Sequence, residues 1–186
     1  GTEWSDQVSG KRSIVAGVGI NDADYGIAGC PFYNRWLGML QRCYGKAMQR
    51  LNPSYVGCSV CDEWLRFSVF KAWMEKQDWV GMELDKDILV LGNKVYSPAT
   101  CVFVTPKTNS LVEKGSCPNP LLPRGVSVAK KQFQAMGRAG SKPLYLGLFP
   151  TAKEAHAAWQ WSKAGILWAS AKEQTNPKVA SALELR

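Results

Sequence analysis

Apolar residues recur at helical spacing between Tyr33 and Leu51. Trp36, Leu37, Leu40, Tyr44, Ala47, Met48 and Leu51 share one face, and Pro53 blocks continuation. Arg35, Arg42, Lys46 and Arg50 lie largely off that face, as phosphate contacts or simply as a solvated surface. A second helix is predicted from Ser68, a good N-cap residue, turning Val69, Phe70, Trp73 and Met74 inward. With Trp64 and Phe67 just before it, this aromatic density points to core packing ahead of base stacking. The span from Met82 to Val90 reads as a strand, Gly92-Asn93 as a turn, and Cys101 to Val104 as a second strand. A helix then starts at Pro106 and reaches Glu113, with Asn109 in its early turns, so the order is ββα.

Residues 1–30 are Gly-rich and irregular, with a strand and turn at Gly17–Asp22. The run Gly17-Val18-Gly19-Ile20-Asn21-Asp22 lacks the Gly-Lys-Ser/Thr ending of a phosphate loop. Residues 114–123, with Gly115, Pro118, Pro120 and Pro123, read as a linker. Beyond it lie three short strand patterns, at 125–128, 131–138 and 144–149. Thr151 and Glu154 then form a capping-box signature. Ala155, Ala158, Trp159 and Ser162 give the following helix a face suited to close packing on a sheet. The predicted class is α+β. A ββα unit with flanking helices occupies 1–121, and a three-stranded antiparallel sheet packed on one helix occupies 122–186.

Charge sharpens this division. Residues 1–121 hold 13 Lys+Arg and 12 Asp+Glu, whereas residues 122–186 hold 10 and 3. A basic excess confined to the last third attracts polyanions, of which nucleic acid is the usual one. With 46% apolar and 20% charged residues the chain reads as globular. No apolar run approaches the roughly 20 residues of a bilayer span, so no membrane partner is expected. Gly1-Thr2-Glu3-Trp4 has neither the basic start nor the apolar core of a secretory signal, so a cytosolic location is expected. Cysteines in that setting are reduced or metal-bound. Cys58 and Cys61 make a half zinc site, and Cys43 and Cys101 could complete four thiolates; ordinary buried cysteines are the competing reading.

Alternation along 131–138 puts Phe133 and Ala135 on one side and Gln132, Gln134, Met136 and Arg138 on the other. If the helix covers Phe133, the opposite face offers Gln and Arg, which read adenine and guanine edges in the major groove of duplex DNA. Arg124, Lys130, Lys131 and Lys142 would flank it as phosphate contacts.

The segments Pro123-Arg124-Gly125-Val126, Phe133-Gln134-Ala135, Tyr145-Leu146-Gly147-Leu148-Phe149 and Thr151-Ala152-Lys153-Glu154-Ala155 resemble the plant ethylene-response-factor (APETALA-type) DNA-binding domain. That resemblance covers roughly 50 residues and implies a sheet inserted into the major groove. The ββα order with Leu84-Asp85-Lys86-Asp87 resembles the HNH nuclease superfamily. It implies a divalent metal, Mg or Mn, held by Asp85 and Asn109, with Thr100 where a middle Asn usually stands. Lys86 occupies the slot of the general-base His. Together with Trp36-x-x-Met39-x-x-Arg42-Cys43-Tyr44 and Val60-Cys61-Asp62-Glu63-Trp64, nearly the whole chain is similar to phage-borne homing-endonuclease-like proteins, which implies the cytosol of a host cell.

A free Lys titrates near 10.4, so a lysine base needs burial or neighbouring positive charge to work at neutral pH. A charged Lys86 could instead steady a phosphate or pair with Asp87. Glu83, Asp85 and Lys86 do not fit the alternative PD-(D/E)xK spacing, and the lone His156 is expected in a structural or surface role. The functional expectation is a metal-dependent DNA endonuclease. Its rival is a catalytically inactive HNH-fold protein that binds DNA as a regulator or structural factor. An inhibitor that binds a host protein is a third reading.

Overall fold

The computed structural model describes residues 13–112, 119–140 and 142–186. The chain divides into two compact units, Gly1–Pro106 and Lys107–Arg186, and the architecture is mixed α+β.

In the first unit, β1 (Ser13–Val15) and β2 (Gly19–Asn21) form an antiparallel hairpin. Gly19 lies directly on helix α1 (Pro31–Tyr44): a Cβ there would meet Leu40 Cδ1 at 2.4 Å and Trp36 at 2.9 Å. A side chain at this position would displace the core, which is why the motif carries glycine. Pro31 starts α1 without losing a needed donor, and Trp36, Met39, Leu40 and Cys43 form its buried face.

The single helix expected to Leu51 is two helices. Gly45 takes an extended ψ of 106° and ends α1, its N–H bonding Gln41 O. The short α2 (Lys46–Leu51) that follows buries none of its residues, and Leu51 is 79% exposed rather than part of the apolar face.

Helix α3 (Phe67–Met74) buries Phe67, Phe70 and Met74. Val69 instead points outward, because 100° per residue carries it away from the face defined by 67, 70 and 74. A remote carboxylate starts this helix. Asp22 accepts from Ser68 N at 2.9 Å and Ser68 Oγ at 2.7 Å, and pairs with Arg66 at 3.3 Å. Burial alone would raise the Asp22 pKa; the bonds from Ser68 and Arg66 outweigh it and hold the group below its ordinary value. This explains the Asn21-Asp22 end of the glycine motif: it is a helix cap supplied from 46 residues away.

The aromatic residues pack among themselves. Trp36 Nε1 donates to Trp64 O at 2.7 Å, Trp64 meets Phe70 edge-on, and Trp73 stacks on Phe103. Two small sheets complete the unit. In one, β3 (Ser59–Val60) runs parallel to β5 (Val95–Tyr96). In the other, β4 (Glu83–Asp85) runs antiparallel to β6 (Val102–Val104), with Leu84 opposite Phe103. The strand expected over 82–90 therefore stops at Asp85, where the carboxylate captures the next backbone amides.

The second unit includes helix α4 (Pro106–Val112) from Lys107 onward. Lys107 pairs with Glu173 at 2.9 Å, Gln174 donates to Thr108 Oγ1 at 3.3 Å, and Lys163 donates to Leu111 O. These bonds place the boundary before α4, whereas charge and Pro/Gly content put it within 114–123. Of that proposed linker, residues 114–118 lie outside the described residues.

Strands β7 (Val126–Ala129), β8 (Gln132–Ala139) and β9 (Lys142–Phe149) form an antiparallel sheet in that order, with an irregularity between Ala135 and Met136. Helix α5 (Ala152–Lys172) starts on the Thr151–Glu154 capping box and packs against all three strands. A further helix, α6 (Pro177–Glu184), buries Val179 and Leu183 and packs on α5. No described helix is long and apolar enough to cross a membrane.

Candidate functional site

Two places carry the predicted chemistry, one in each unit. In the first unit it is the loop that leaves β4. Asp85 Oδ1 accepts from Asp87 N at 2.7 Å and Ile88 N at 2.6 Å, which fixes the carboxylate and closes the turn. Burial raises the Asp85 pKa above the carboxylate norm; these two amides and the Lys86 charge counter it only in part.

Lys86 runs the other way and is 5% exposed. Its Nζ donates to Asp87 Oδ1 at 2.6 Å and to Asn93 O at 2.9 Å, and sits 5.8 Å from the centre of the Tyr96 ring. Asn93 closes the loop from the far side, donating to Lys86 O at 2.8 Å and Val95 O at 2.7 Å. Lys86 and Asn93 thus hold each other across the Gly92 turn. A general base needs a lone pair aimed at a water. The Lys86 amine is engaged as a donor to two acceptors.

Thr100, expected as the middle HNH residue, bonds Ser97 Oγ at 2.9 Å and donates to Val95 O at 2.8 Å, closing the turn before β6. Asn109 lies on α4, in the second unit. The first unit by itself supplies one oriented carboxylate, Asp85. Among the described residues no three His, Cys, Asp or Glu side chains form a group able to hold a metal ion.

The four thiols considered for zinc all lie in the first unit. Cys43, Cys58 and Cys101 are buried, Cys61 is half-buried, and all four are free. Cys43 lies in electrostatic reach of Cys58, and Cys101 of Cys61. Burial pushes the Cys43 and Cys101 thiols up to about 12. Cys117 lies outside the described residues.

In the second unit the site is a sheet face. Ala135 is fully buried, and a Cβ on Gly137 would meet Ser162 Oγ of α5 at 3.1 Å, so this side of β8 faces the helix. Alternation then places Gln132, Gln134, Met136 and Arg138 on the opposite side, where Gln134 Nε2 reaches Met136 Sδ at 3.0 Å. The register adds Ser127 opposite Gln134, and Leu148 and Tyr145 opposite Gln134 and Met136. Tyr145 is 57% and Leu148 46% exposed. Neither was expected on this face from sequence; period-two alternation read along 142–149 would have placed them but for the irregularity at Ala135/Met136.

The flanking cations sit at the ends of the strands. Lys130, with φ +57°, and Lys131 form the β7–β8 turn, and Lys142 opens β9. Arg124 is fixed from behind: His156 Nδ1 bonds its carbonyl at 2.9 Å. Gly125, with φ +75°, lies so close to Trp159 that a Cβ would overlap the indole at 2.0 Å. His156 stacks on the same Trp159, which gives it the structural role expected.

Charge follows the units. Residues 1–106 hold 11 Lys+Arg and 11 Asp+Glu, and residues 107–186 hold 12 and 4, so the whole net charge of +8 belongs to the second unit. In comparisons with known proteins, no family model matches the chain, and no curated protein and no solved structure matches it.

Proposed function

We propose that this protein binds duplex DNA through the open face of the β7–β9 sheet, and that its first unit is an HNH-like ββα frame in which Lys86 is a structural residue. The observation that carries the reading is the sheet face. One side is covered by α5, and the other presents Gln132, Gln134 and Arg138 between lysines, in the unit that holds the entire net charge. Gln and Arg are the side chains that pair bidentately with adenine and guanine in the major groove, and a narrow β-ribbon fits that groove. Tyr145 and Leu148 add apolar surface for a thymine methyl.

The reading favours binding without hydrolysis because Lys86 donates to Asp87 and Asn93 instead of facing a water. Cleavage remains the second reading on one observation: Asp85 is oriented through Oδ1, and its Oδ2 takes no hydrogen bond among the described residues. The test incubates wild type and Asp85→Asn with supercoiled DNA and Mg²⁺ or Mn²⁺ while following binding on a labelled duplex. Binding by both without nicking is the expected result. Metal-dependent nicking by wild type that Asp85→Asn abolishes would establish the nuclease reading instead.

A further inference from the structure

One side of α5 packs on the sheet through Ala155 and Ser162. The side facing away carries Trp161, 80% exposed, and Trp168, 57% exposed. Seven residues apart, the two indoles project from one stripe, about 10.5 Å from each other along the axis. A single exposed apolar side chain needs no explanation, but two indoles on one stripe leave about 300 Å² of apolar surface in water. Between them lie Ala164 and Gly165, both exposed. Glycine is a poor residue for a helix interior, and close approach by a neighbour is its usual reason, as where Gly125 and Gly137 meet α5. A Cβ on Gly165 would meet nothing within 4 Å among the described residues. Gly38 in α1 is as open, but Asn34 and Gln41, the exposed residues beside it, are polar.

The stripe is complementary to itself. Trp161-x-x-Ala164-Gly165-x-x-Trp168 has the same spacing read in either direction. A two-fold axis through Ala164 and Gly165 sets an antiparallel copy of α5 with each Trp161 against the Trp168 of the other copy. The small residues then face each other at the centre, where they let the two backbones approach. Charge favours the same direction. Glu154 and Lys172 lie on this stripe, within about 20° of Trp161 around the helix, at opposite ends. Lys172 Nζ is already laid along it, 3.6 Å from the centre of the Trp168 ring. An antiparallel pair brings Glu154 of each copy towards Lys172 of the other, whereas a parallel pair sets like charges together. Two copies bury about 600 Å² from the indoles alone, about half of the ~1,200 Å² of a stable interface, so the pair is weak and reversible.

We infer that two copies of this chain pair through the outward stripe of α5, antiparallel about Ala164 and Gly165, as a reversible homodimer. The inference does not depend on the DNA-binding reading. Because α5 lies between this stripe and the sheet, the dimer leaves the open face of each sheet free.

The experiment is sedimentation velocity on the full chain, without DNA, from about 1 to about 200 μM protein, in about 0.3 M salt to screen the net charge of +8. It compares wild type with Gly165→Gln, with Lys172→Glu and with the double variant Trp161→Gln, Trp168→Gln. Wild type is expected to pass from monomer to dimer as concentration rises. Gly165→Gln puts a good helix former where the monomer has room, so it should melt at or above the wild-type temperature while the dimer weakens about tenfold or more. That combination separates a lost interface from a damaged fold. The tryptophan double variant should weaken the dimer about tenfold or more, and Lys172→Glu about threefold. Wild type that stays monomeric up to about 200 μM overturns the inference. A dimer that either Gly165→Gln or the tryptophan double variant leaves at wild-type strength also overturns it, since that dimer forms through another surface.

Discussion

Replacing Lys86 with Met separates a structural lysine from a catalytic one. Met keeps most of the buried apolar stem and removes the charged head. The lost head group made a 2.6 Å bond to Asp87 and a 2.9 Å bond to the Asn93 carbonyl. A hydrogen bond involving a charged group contributes about 1.5–3 kcal/mol, and a carbonyl left without its donor adds about 1 kcal/mol. Breaking a fully buried ion pair costs about 3–5 kcal/mol, but Asp87 keeps 45% of its side chain exposed and rehydrates. The expected loss is therefore about 2–3 kcal/mol, or about 10 °C in the melting of a unit this size. Scanning calorimetry and urea unfolding of Lys86→Met and Asp87→Asn, singly and together, give the coupling directly. If Lys86→Met melts within about 2 °C of wild type, the bonds described here contribute nothing and the structural role of Lys86 is refuted.

Further predictions follow from neighbouring groups. Because burial raises the Asp85 pKa in the folded state, its favourable contribution is complete below the unfolded value near 3.8 and is lost as pH rises through the higher folded value. Asp85→Asn, which keeps an oxygen for both amides, should then be at least as stable as wild type at pH 7–8 and gain nothing near pH 3, whereas Asp85→Ala should lose about 1–3 kcal/mol at both. For Asp22, held below its ordinary value, the sign is opposite: stability is present above pH 3.8 and lost as pH falls through the folded value, and Asp22→Ala should remove about 1–2 kcal/mol at pH 7. Gly19→Ala forces a methyl against Trp36 and Leu40 and should cost about 1–3 kcal/mol in urea unfolding. Cys43 and Cys101, buried and with thiol pKa values up to about 12, should react with a disulfide reagent only as fast as the protein unfolds, with or without added zinc.

The second unit was the more legible of the two in sequence. Its capping box, strand alternation and charge excess are local signals, and each maps onto an element found at that place. The first unit depends on contacts distant in sequence, which periodicity does not register. The α3 cap comes from Asp22, the helix break at Gly45 reflects one backbone angle, and β5 pairs in parallel with β3 across 36 residues. Lys86 shows the same limit. Its place in the motif suggested chemistry, and its role emerges from Asn93 and Tyr96, which the turn brings back to it. Arg42 was indistinguishable in sequence from Arg35 and Arg50. Arg35 bonds Met82 O at 2.6 Å and Arg50 reaches Lys46 O at 3.4 Å, while Arg42 alone of the three lies between two tyrosines.

The central claim is that the open sheet face holds duplex DNA, and equilibrium binding of the full chain to duplex DNA across a salt series tests it most directly. With Arg124, Lys130, Lys131 and Lys142 as phosphate contacts, the account predicts tight binding at low salt and a slope of log K against log salt of about −4. The pair Gln134→Ala and Arg138→Ala should flatten the preference among duplex sequences while leaving that slope unchanged. Wild-type protein that shows no salt-dependent affinity for duplex DNA, or a double variant that discriminates sequences as well as wild type, would contradict it.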